Sequence, residues 1–297
     1  MQLRIGSRGS KLALTQTKLI EKALKEANPG LETEIIIIKT KGDLILDKPL
    51  NEIGDKGLFV REIEEALLEH KIDLAVHSLK DMPAEQPEGL EMAVTPLRED
   101  PRDVLITFDG AKQLSDLPKG AVIATGSLRR ITQLQALRPD LEIKGIRGNV
   151  ETRIKKAKEQ GYAGIVLAAS GLNRLGMEFE GFPFSTEEML PAPAQGILGL
   201  ETRTDDAETK ALLAKIHHED SHRQSLAERA FLRYTEGGCH APMGVYCDIH
   251  GDSFTVTGFF KTEKQMYTET AEGLRGEEAE KGKEIALKIK ENIKNER

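Results

Sequence analysis

Strand-like and helix-like segments alternate in two separate runs along these 297 residues, and that alternation limits the possible folds more than any other feature. LRI (3–5) and EIIIIKT (34–40) read as strands, rich in β-branched residues. Between them Leu12, Leu19, Ile20, Ala23, Leu24 and Ala27 recur at helical spacing. Ser10 is placed to cap that helix, and Asn28-Pro29-Gly30 to end it. A second helix, about 58–70, carries Phe59, Ile63, Ala66 and Leu67 on one face and leads into a short buried strand, IDLAVHS. After Pro96 and Pro101 the pattern restarts. AVIAT (121–125), LEIKGI and GIVLAA read as strands, with LRRITQLQALR and NVETRIKKAKEQ as the helices between them. The expected class is α/β: two doubly wound lobes, each with a largely parallel sheet covered by helices on both faces.

LPAPAQGILG (190–199) reads as a second crossing between lobes, stiffened by Pro191 and Pro193. Beyond about residue 218 the style changes. A helix carrying Leu226, Ala230 and Phe231 ends at Gly237-Gly238. Three short strands (243–249, 253–260, 265–271) and a closing amphipathic helix (about 276–294) follow, which is an α+β pattern. The expected division is residues 1–97 with about 197–216 as lobe 1, 98–196 as lobe 2, and 217–297 as a small C-terminal domain. Ligands of doubly wound sheets bind outside the carboxyl ends of strands, which for two lobes means the crevice between them.

Arg8, Arg129, Arg130, Arg147, Arg153 and Arg174 all fall near the ends of those strands or the starts of the helices, in segments broken by Gly and Ser. The chain as a whole carries a net charge of −7, yet residues 121–158 hold nine Lys/Arg against three Asp/Glu. Aromatic residues are only 4% and Trp is absent, so stacking platforms for single-stranded nucleic acid are missing, and no broad basic face suits a duplex. The reading is a pocket for a small ligand with several anionic groups, each met by a planar guanidinium fork. No basic start followed by a long apolar run marks a signal peptide, and no stretch approaches a membrane span. Two cysteines, Cys239 and Cys247, make no disulfide framework, so a cytoplasmic, reducing home is expected.

Each motif admits a plain reading beside the functional one. ATGSLRR puts Thr125, Gly126 and Ser127 at a strand-to-helix turn, where free N–H groups and the helix dipole favour anions. The alternative is a capped helix with two solvated arginines, but Arg129 and Arg130 in a first turn oppose the dipole and want an explanation. IRGNVETR repeats the logic with Arg147, Gly148 and Arg153, and IGSRGS sets Arg8 and Ser10 beside the first helix. VHSLKDMP delivers His77, Ser78, Lys80 and Asp81 to a loop closed by Pro83. By itself that reads first as Asp81 capping a turn, Lys80 solvated and His77 a satisfied strand-end residue. The sharper reading is an ionised carboxylate that stabilises a cation or shuttles a proton. EGGCHAPMG puts Cys239 on a glycine loop, as a reactive thiol or an incidental one, whereas Cys247 within VYCDI reads as a packing residue. The spacing of His217, His218, His222 and His240 with one cysteine is not that of a zinc site, so no metal is expected.

Taken in order, GSRGSKLALTQT, TKGD, DKGLFVREIEEALL, DLAVHSLKDMP, REDPRDVL, ATGSLRRITQLQALRPDLEIKGIRGNVETR, LAASGLNRLG, LPAPAQG and EGGCHAPMG closely resemble the porphobilinogen deaminases, over nearly the whole length. Ser170 stands where that family's LAAAGL has alanine. The resemblance implies an enzyme of tetrapyrrole biosynthesis that joins four porphobilinogen molecules head to tail into hydroxymethylbilane, with loss of ammonia at each step. It implies a dipyrromethane cofactor on Cys239, the catalytic carboxylate at Asp81, and Lys56, Ser78, Lys80, Thr125, Ser127, Arg129, Arg130 and Arg147 around the cofactor. It implies Arg8, Ser10, Arg153, Arg174 and Gln195 around substrate and growing chain, and two periplasmic-binding-protein-like lobes plus a small C-terminal domain. Porphobilinogen is then the only partner, with no nucleic acid and no membrane, and the chain is a monomer. Two rivals share some of these features. A two-lobed binding protein for small anions needs no Cys239, and a hydrolase using Cys239 and His240 lacks an evident orienting acid.

Overall fold

A computed structural model describes residues 2–44, 60–236 and 241–295. The chain forms two compact units. The first comprises Met1–Glu99 and Ile197–Ser225, and the second Asp100–Gly196 and Leu226–Arg297. Residues 226–297, most of the expected C-terminal domain, therefore group with the second unit.

In the first unit β1 (Gln2–Ser7) leads to α1 (Lys11–Ala27), β2 (Glu32–Ile37), a short α2 (Lys41–Leu44), α3 (Arg61–Leu68), β3 (Leu74–Ser78) and β4 (Leu90–Val94). In the second unit the order is β5 (Asp103–Thr107), β6 (Val122–Ala124), α4 (Leu128–Leu137), β7 (Glu142–Lys144), α5 (Val150–Glu159), β8 (Gly164–Ala168), α6 (Ala169–Arg174) and β9 (Gly181–Pro183). The chain then returns to the first unit with β10 (Leu198–Arg203) and α7 (Ala207–Leu213). It continues through α8 (Glu219–Thr235), an antiparallel sheet of β11 (Met243–His250), β12 (Ser253–Lys261) and β13 (Met266–Leu274), and α9 (Glu278–Asn295).

The two large sheets share one plan. Their orders are β2-β1-β3-β10-β4 and β7-β6-β8-β5-β9. The first three strands of each are parallel, and the fourth is antiparallel to both its neighbours. The largely parallel sheets expected from the alternation are thus mixed. The reason lies in the connections: β5 and β10 are the strands that the chain lays down on first entering a unit from the other one. They do not follow a crossover helix, so nothing forces them parallel. Both read as unbroken buried runs, DVLIT and LGLETR, with no alternation to mark them.

Leu3, Ile5, Ile20, Leu24, Leu74, Val76, Leu198 and Leu200 make one core of the first unit, on the α1 side of its sheet. On the α3 side Ile63, Ala66, Leu67, Ile72 and Ala75 pack together. The inward face of α1 is Ala13, Gln16, Thr17, Ile20 and Leu24, so it includes two polar residues and excludes Leu19, which is 45% exposed. The Thr17 hydroxyl lies within hydrogen-bond distance of the Ser7 hydroxyl (2.8 Å) and of the Ala13 carbonyl (3.0 Å), so its polarity is satisfied inside. Phe59, expected on the second helix, lies outside the described residues. No helix among the described residues is long and apolar enough to cross a membrane.

In the second unit α9 packs against α8 so closely that a Cβ at Gly282 would stand 2.1 Å from the Ala227 carbonyl oxygen. Backbone cannot swing aside as a side chain can. Gly282→Ala is expected to lower unfolding free energy by about 1–3 kcal/mol, measured by urea titration.

Candidate active site

The first unit presents its candidate residues just beyond the ends of two adjacent parallel strands. β1 ends at Ser7, and Arg8, half-buried, follows it. The hydroxyl of Ser10 caps α1 by accepting from the Ala13 N–H (3.3 Å). β3 ends at Ser78 and passes into a single helical turn, Leu79–Asp81. Side chains of successive strand residues point to opposite faces, and here each is gripped. Ser78 meets the buried Gln16 of α1 (Nε2 to Oγ 3.0 Å), while His77 Nε2 lies 3.0 Å from Glu201 Oε2 on β10. The Leu79 N–H donates to the Ile197 carbonyl (3.0 Å) and fixes the turn from a third direction. Asp81, at the tip, is exposed, and its carboxylate has no hydrogen-bond partner among the described residues. Lys80 beside it is half-buried.

In the second unit the two arginines of the first turn of α4 are buried at 4% and 7% exposure, and both face Asp103, the first residue of β5. Arg129 Nη1 donates to Asp103 Oδ2 (2.6 Å) and to the Leu190 carbonyl (2.7 Å). Arg130 meets Asp103 Oδ1 through Nε (3.0 Å) and Nη2 (2.7 Å), and the Val166 carbonyl through Nη1 (3.0 Å). Burial alone would push the Asp103 carboxyl up, but the charges of Arg129 and Arg130 outweigh it and hold the group well below the usual carboxylate range. The explanation sought for two cations at a helix N-terminus is therefore a protein anion. Two guanidiniums against one carboxylate still leave one net positive charge in this cluster.

Gln195 belongs to the same cluster. It is wholly buried, and its Nε2 donates to the Pro101 carbonyl (2.8 Å) and to Asp103 Oδ1 (3.0 Å). Arg174, at the end of α6, donates through Nη2 to the Gly196 carbonyl (2.5 Å). The neighbouring Ala194 N–H is held by the buried carboxylate of Glu228 on α8 (2.6 Å), whose other oxygen accepts from the Cys247 N–H (3.1 Å). Cys247 is buried in β11. The crossing segment at 190–196 is thus fastened by side chains from three elements of its own unit.

Further candidate residues lie around the starts of α4 and α5. Thr125 is buried, and its hydroxyl accepts from the Ser127 N–H (3.3 Å). Ser127 occupies the N-cap of α4 without capping it, so the orphan N–H groups of the first turn lack a side-chain acceptor. Arg147 follows β7, next to Gly148, whose φ of +127° and close approach to Thr152 exclude a side chain. Its Nη1 is buried with no partner among the described residues. Arg153, on α5, donates through Nε to the Gly148 carbonyl (2.7 Å). Lys56 and Cys239 lie outside the described residues.

Asp103, Glu201, Gln16 and Glu228 are absent from the sequence reading. Neither Asp103 nor Glu201 carries a local mark: Asp103 follows Arg102 and opens β5, and Glu201 is followed by Thr202 and Arg203 in β10.

Fold and strand ends together define an α/β protein of two sheet-based units, with a bare carboxylate at a strand end in the first and a surplus of guanidinium in the second. The family model for porphobilinogen deaminase, dipyromethane cofactor binding domain, matches residues 3–211, and that for the porphobilinogen deaminase C-terminal domain matches 222–295. Similar curated proteins are the porphobilinogen deaminases of Clostridioides difficile (strain 630), 51% identical over 88% of this chain and 87% of that protein, and of Syntrophus aciditrophicus (strain SB), 47% identical over 97% and 94%. That of Bacillus subtilis (strain 168) is 49% identical over 94% of this chain and 90% of its own length. Among solved structures, the periplasmic VFT2 domain of Bordetella pertussis BvgS is 14% identical with a TM-score of 0.41, covering 72% of this chain and 86% of that one. A putative periplasmic sulfonate-binding protein from Methylobacillus flagellatus is 18% identical with a TM-score of 0.40, covering 80% and 68%. The chain belongs to the porphobilinogen deaminase family, enzymes of tetrapyrrole biosynthesis.

Removing the Asp103 charge leaves two buried guanidiniums facing each other. Asp103→Asn is expected to lose about 3–5 kcal/mol of unfolding free energy. Because the folded-state pKa of Asp103 is depressed, its contribution is present above the ordinary carboxylate value of 3.8 and is lost as pH falls below it. Denaturant titrations should therefore show the parent and Asp103→Asn converging as the pH is lowered.

Proposed function

We propose that this enzyme joins four porphobilinogen molecules head to tail, releasing one ammonia per unit, on a dipyrromethane primer held as a thioether on Cys239, and that addition of water then cleaves the chain from the primer as hydroxymethylbilane. The observation that carries the reading is the exposed, unpartnered carboxylate of Asp81 at the end of a strand gripped on both faces. The family match supplies the substrate class and the primer. The described residues fit a group bearing several carboxylates. Arg147 offers a buried guanidinium nitrogen without a partner, Ser127 an unused cap hydroxyl, and the Asp103 cluster a net positive charge. When bound, the primer would supply the pyrrole carbon to which the first substrate unit is joined.

The residues divide the work by their chemistry. Each substrate unit brings two carboxylates, and bidentate guanidiniums offset that charge with defined geometry. Thr125, Ser127, Arg129 and Arg147, with Lys56, Ser78 and Lys80, are assigned to the primer. Arg8, Ser10, Arg153 and Arg174 are assigned to substrate and growing chain. Arg130 and Gln195 act through Asp103, since each nitrogen of Arg130 and the Gln195 amide nitrogen already have protein partners. Loss of ammonia leaves a cation on the substrate methylene. Asp81 stabilises that cation and accepts the proton released when the new carbon–carbon bond forms. The reading also takes the enzyme to be a cytoplasmic monomer acting on small molecules, not on nucleic acid or at a membrane.

Two variants test this. Cys239→Ser should lack the added mass of two pyrrole units that intact-mass measurement finds on the parent. Asp81→Asn should keep that mass and the parent's unfolding midpoint, yet lose about 100-fold or more in kcat with porphobilinogen. A parent with the mass of the bare polypeptide, inert toward porphobilinogen, would refute the reading.

A further inference from the structure

The face of the first sheet covered by α3 contains a group of titratable side chains that the proposed chemistry does not use. His77 and Glu201 are both under 10% exposed, and the Glu201 side chain is wholly buried. In the register of β3 with β10, His77 lies opposite Gly199 and Ala75 opposite Glu201. The pair is therefore diagonal on one face of the sheet, within reach for long side chains. The ring nitrogen that Glu201 Oε2 meets is Nε2, at 3.0 Å. Glu201 Oε1 is buried with no partner among the described residues.

A second acid sits against this pair. Glu64 projects from α3 and is 8% exposed. Burial, and next the charge of Glu201, push its carboxyl up to about 7, against the opposing pull of His77 and Arg61 and with a small further push from Glu65. On the same face of β10, two residues beyond Glu201, the buried Arg203 donates to the Leu67 carbonyl of α3, to Asp73 and to Asp206. Two carboxylates and one imidazole are thus packed behind β3, one residue before Ser78 and four before Asp81.

A buried ion pair of this kind is weak evidence for stability alone, since apolar residues of the same volume would serve as well. Its place in the chain suggests another use. The strand that carries His77 ends in the turn that presents Asp81, and the opposite face of that end is already fixed through Ser78 and Gln16. Without the Glu201 bond only one face of the strand end is held.

We propose that Glu201, through His77, is a positioning residue for the reaction: it locks the imidazole and the end of β3, and so sets where Asp81 presents its carboxylate. This rests on the function proposed above. The test uses enzyme carrying its primer and compares the parent with Glu201→Gln, His77→Gln and the double variant. Intact mass, kcat and KM for porphobilinogen, and hydrogen exchange of the amides at 77–82 are measured. Glu201→Gln should keep the primer mass and a KM within about twofold, while kcat falls about 10- to 100-fold, as when an outer hydrogen-bonding partner of an active group is lost. Exchange at 79–82 should quicken. The double variant should be no worse than either single one, because the two act as one unit. A kcat within twofold of the parent, a loss carried by KM or primer content, or additive losses would overturn the proposal. Should Glu201→Gln not fold, His77→Gln by itself decides between the same outcomes. A third readout concerns Glu64. Because its folded-state pKa is raised, its stabilising contribution is complete below 4.5 and is lost as pH rises through about 7. Glu64→Gln should abolish that decline in unfolding free energy, and a variant that declines as the parent does would contradict the cluster. A parent without primer or product refutes the function itself. A parent that turns over beside an equally fast, loaded Glu201→Gln refutes only the positioning role.

Discussion

A single carboxylate, that of Asp103, determines how the second unit can be assembled. It is wholly buried, so it must be paired, and it draws in two guanidiniums and one amide. Those partners arrive from the start of α4 and from the crossing segment at Gln195, while Asp103 itself opens β5. The same guanidiniums hold the Val166 carbonyl in β8 and the Leu190 carbonyl at the crossing segment. Three parts of the chain far apart in sequence therefore share one ionic centre. Strand order, helix start and the return of the chain cannot be rearranged without leaving a charge unpaired in a dry interior, which costs several kcal/mol.

The first unit has a counterpart at the equivalent place in its sheet. Glu201 lies on β10, the fourth and antiparallel strand, as Asp103 lies on β5. Each acid reaches back to residues at or just after the carboxyl end of a parallel strand: His77 in β3, and Arg129 and Arg130 after β6. The partners differ in charge, and the outcomes differ with them. In the second unit two fixed cations outnumber the acid and leave a positive surplus suited to carboxylates. In the first, a single imidazole meets the acid, and Glu64 lies beside them with its carboxyl pushed up to about 7 by burial and by the charge of Glu201.

The parallel core of each sheet is legible in the amino-acid sequence because a βα repeat writes its period along the chain. α1, α4, α5 and the three closing strands occur where periodicity put them. β5 and β10 carry no such mark, since strands buried on both faces lose the alternation that distinguishes strand from helix. The candidate residues follow the same division. Asp81, Ser78 and Arg147 stand at strand ends beside Gly, Ser or Pro, where local sequence is informative. Arg129 and Arg130 were conspicuous for opposing a helix dipole, but their partner lies 26 and 27 residues earlier, and no local rule connects them. Gln16 and Thr17 broke the apolar face of α1 for a reason visible only once β1 and β3 lie beside it.

Placing buried acids on the entering strands also gives the active groups a rigid base. A side chain on a loop is positioned only as well as the backbone that carries it. Asp81 rides on a turn of three residues, yet that turn is tied to Ile197 by its first N–H, to α1 through Ser78 and to β10 through His77. β10 in turn begins one residue after Ile197. The entering strand therefore supplies both a backbone and a side-chain anchor to the turn that bears Asp81. The proposed reaction, repeated on successive substrate units, needs one carboxylate in one place each time. The residues that secure that place are the buried polar ones of β3, β10 and α1, not those that meet the ligand.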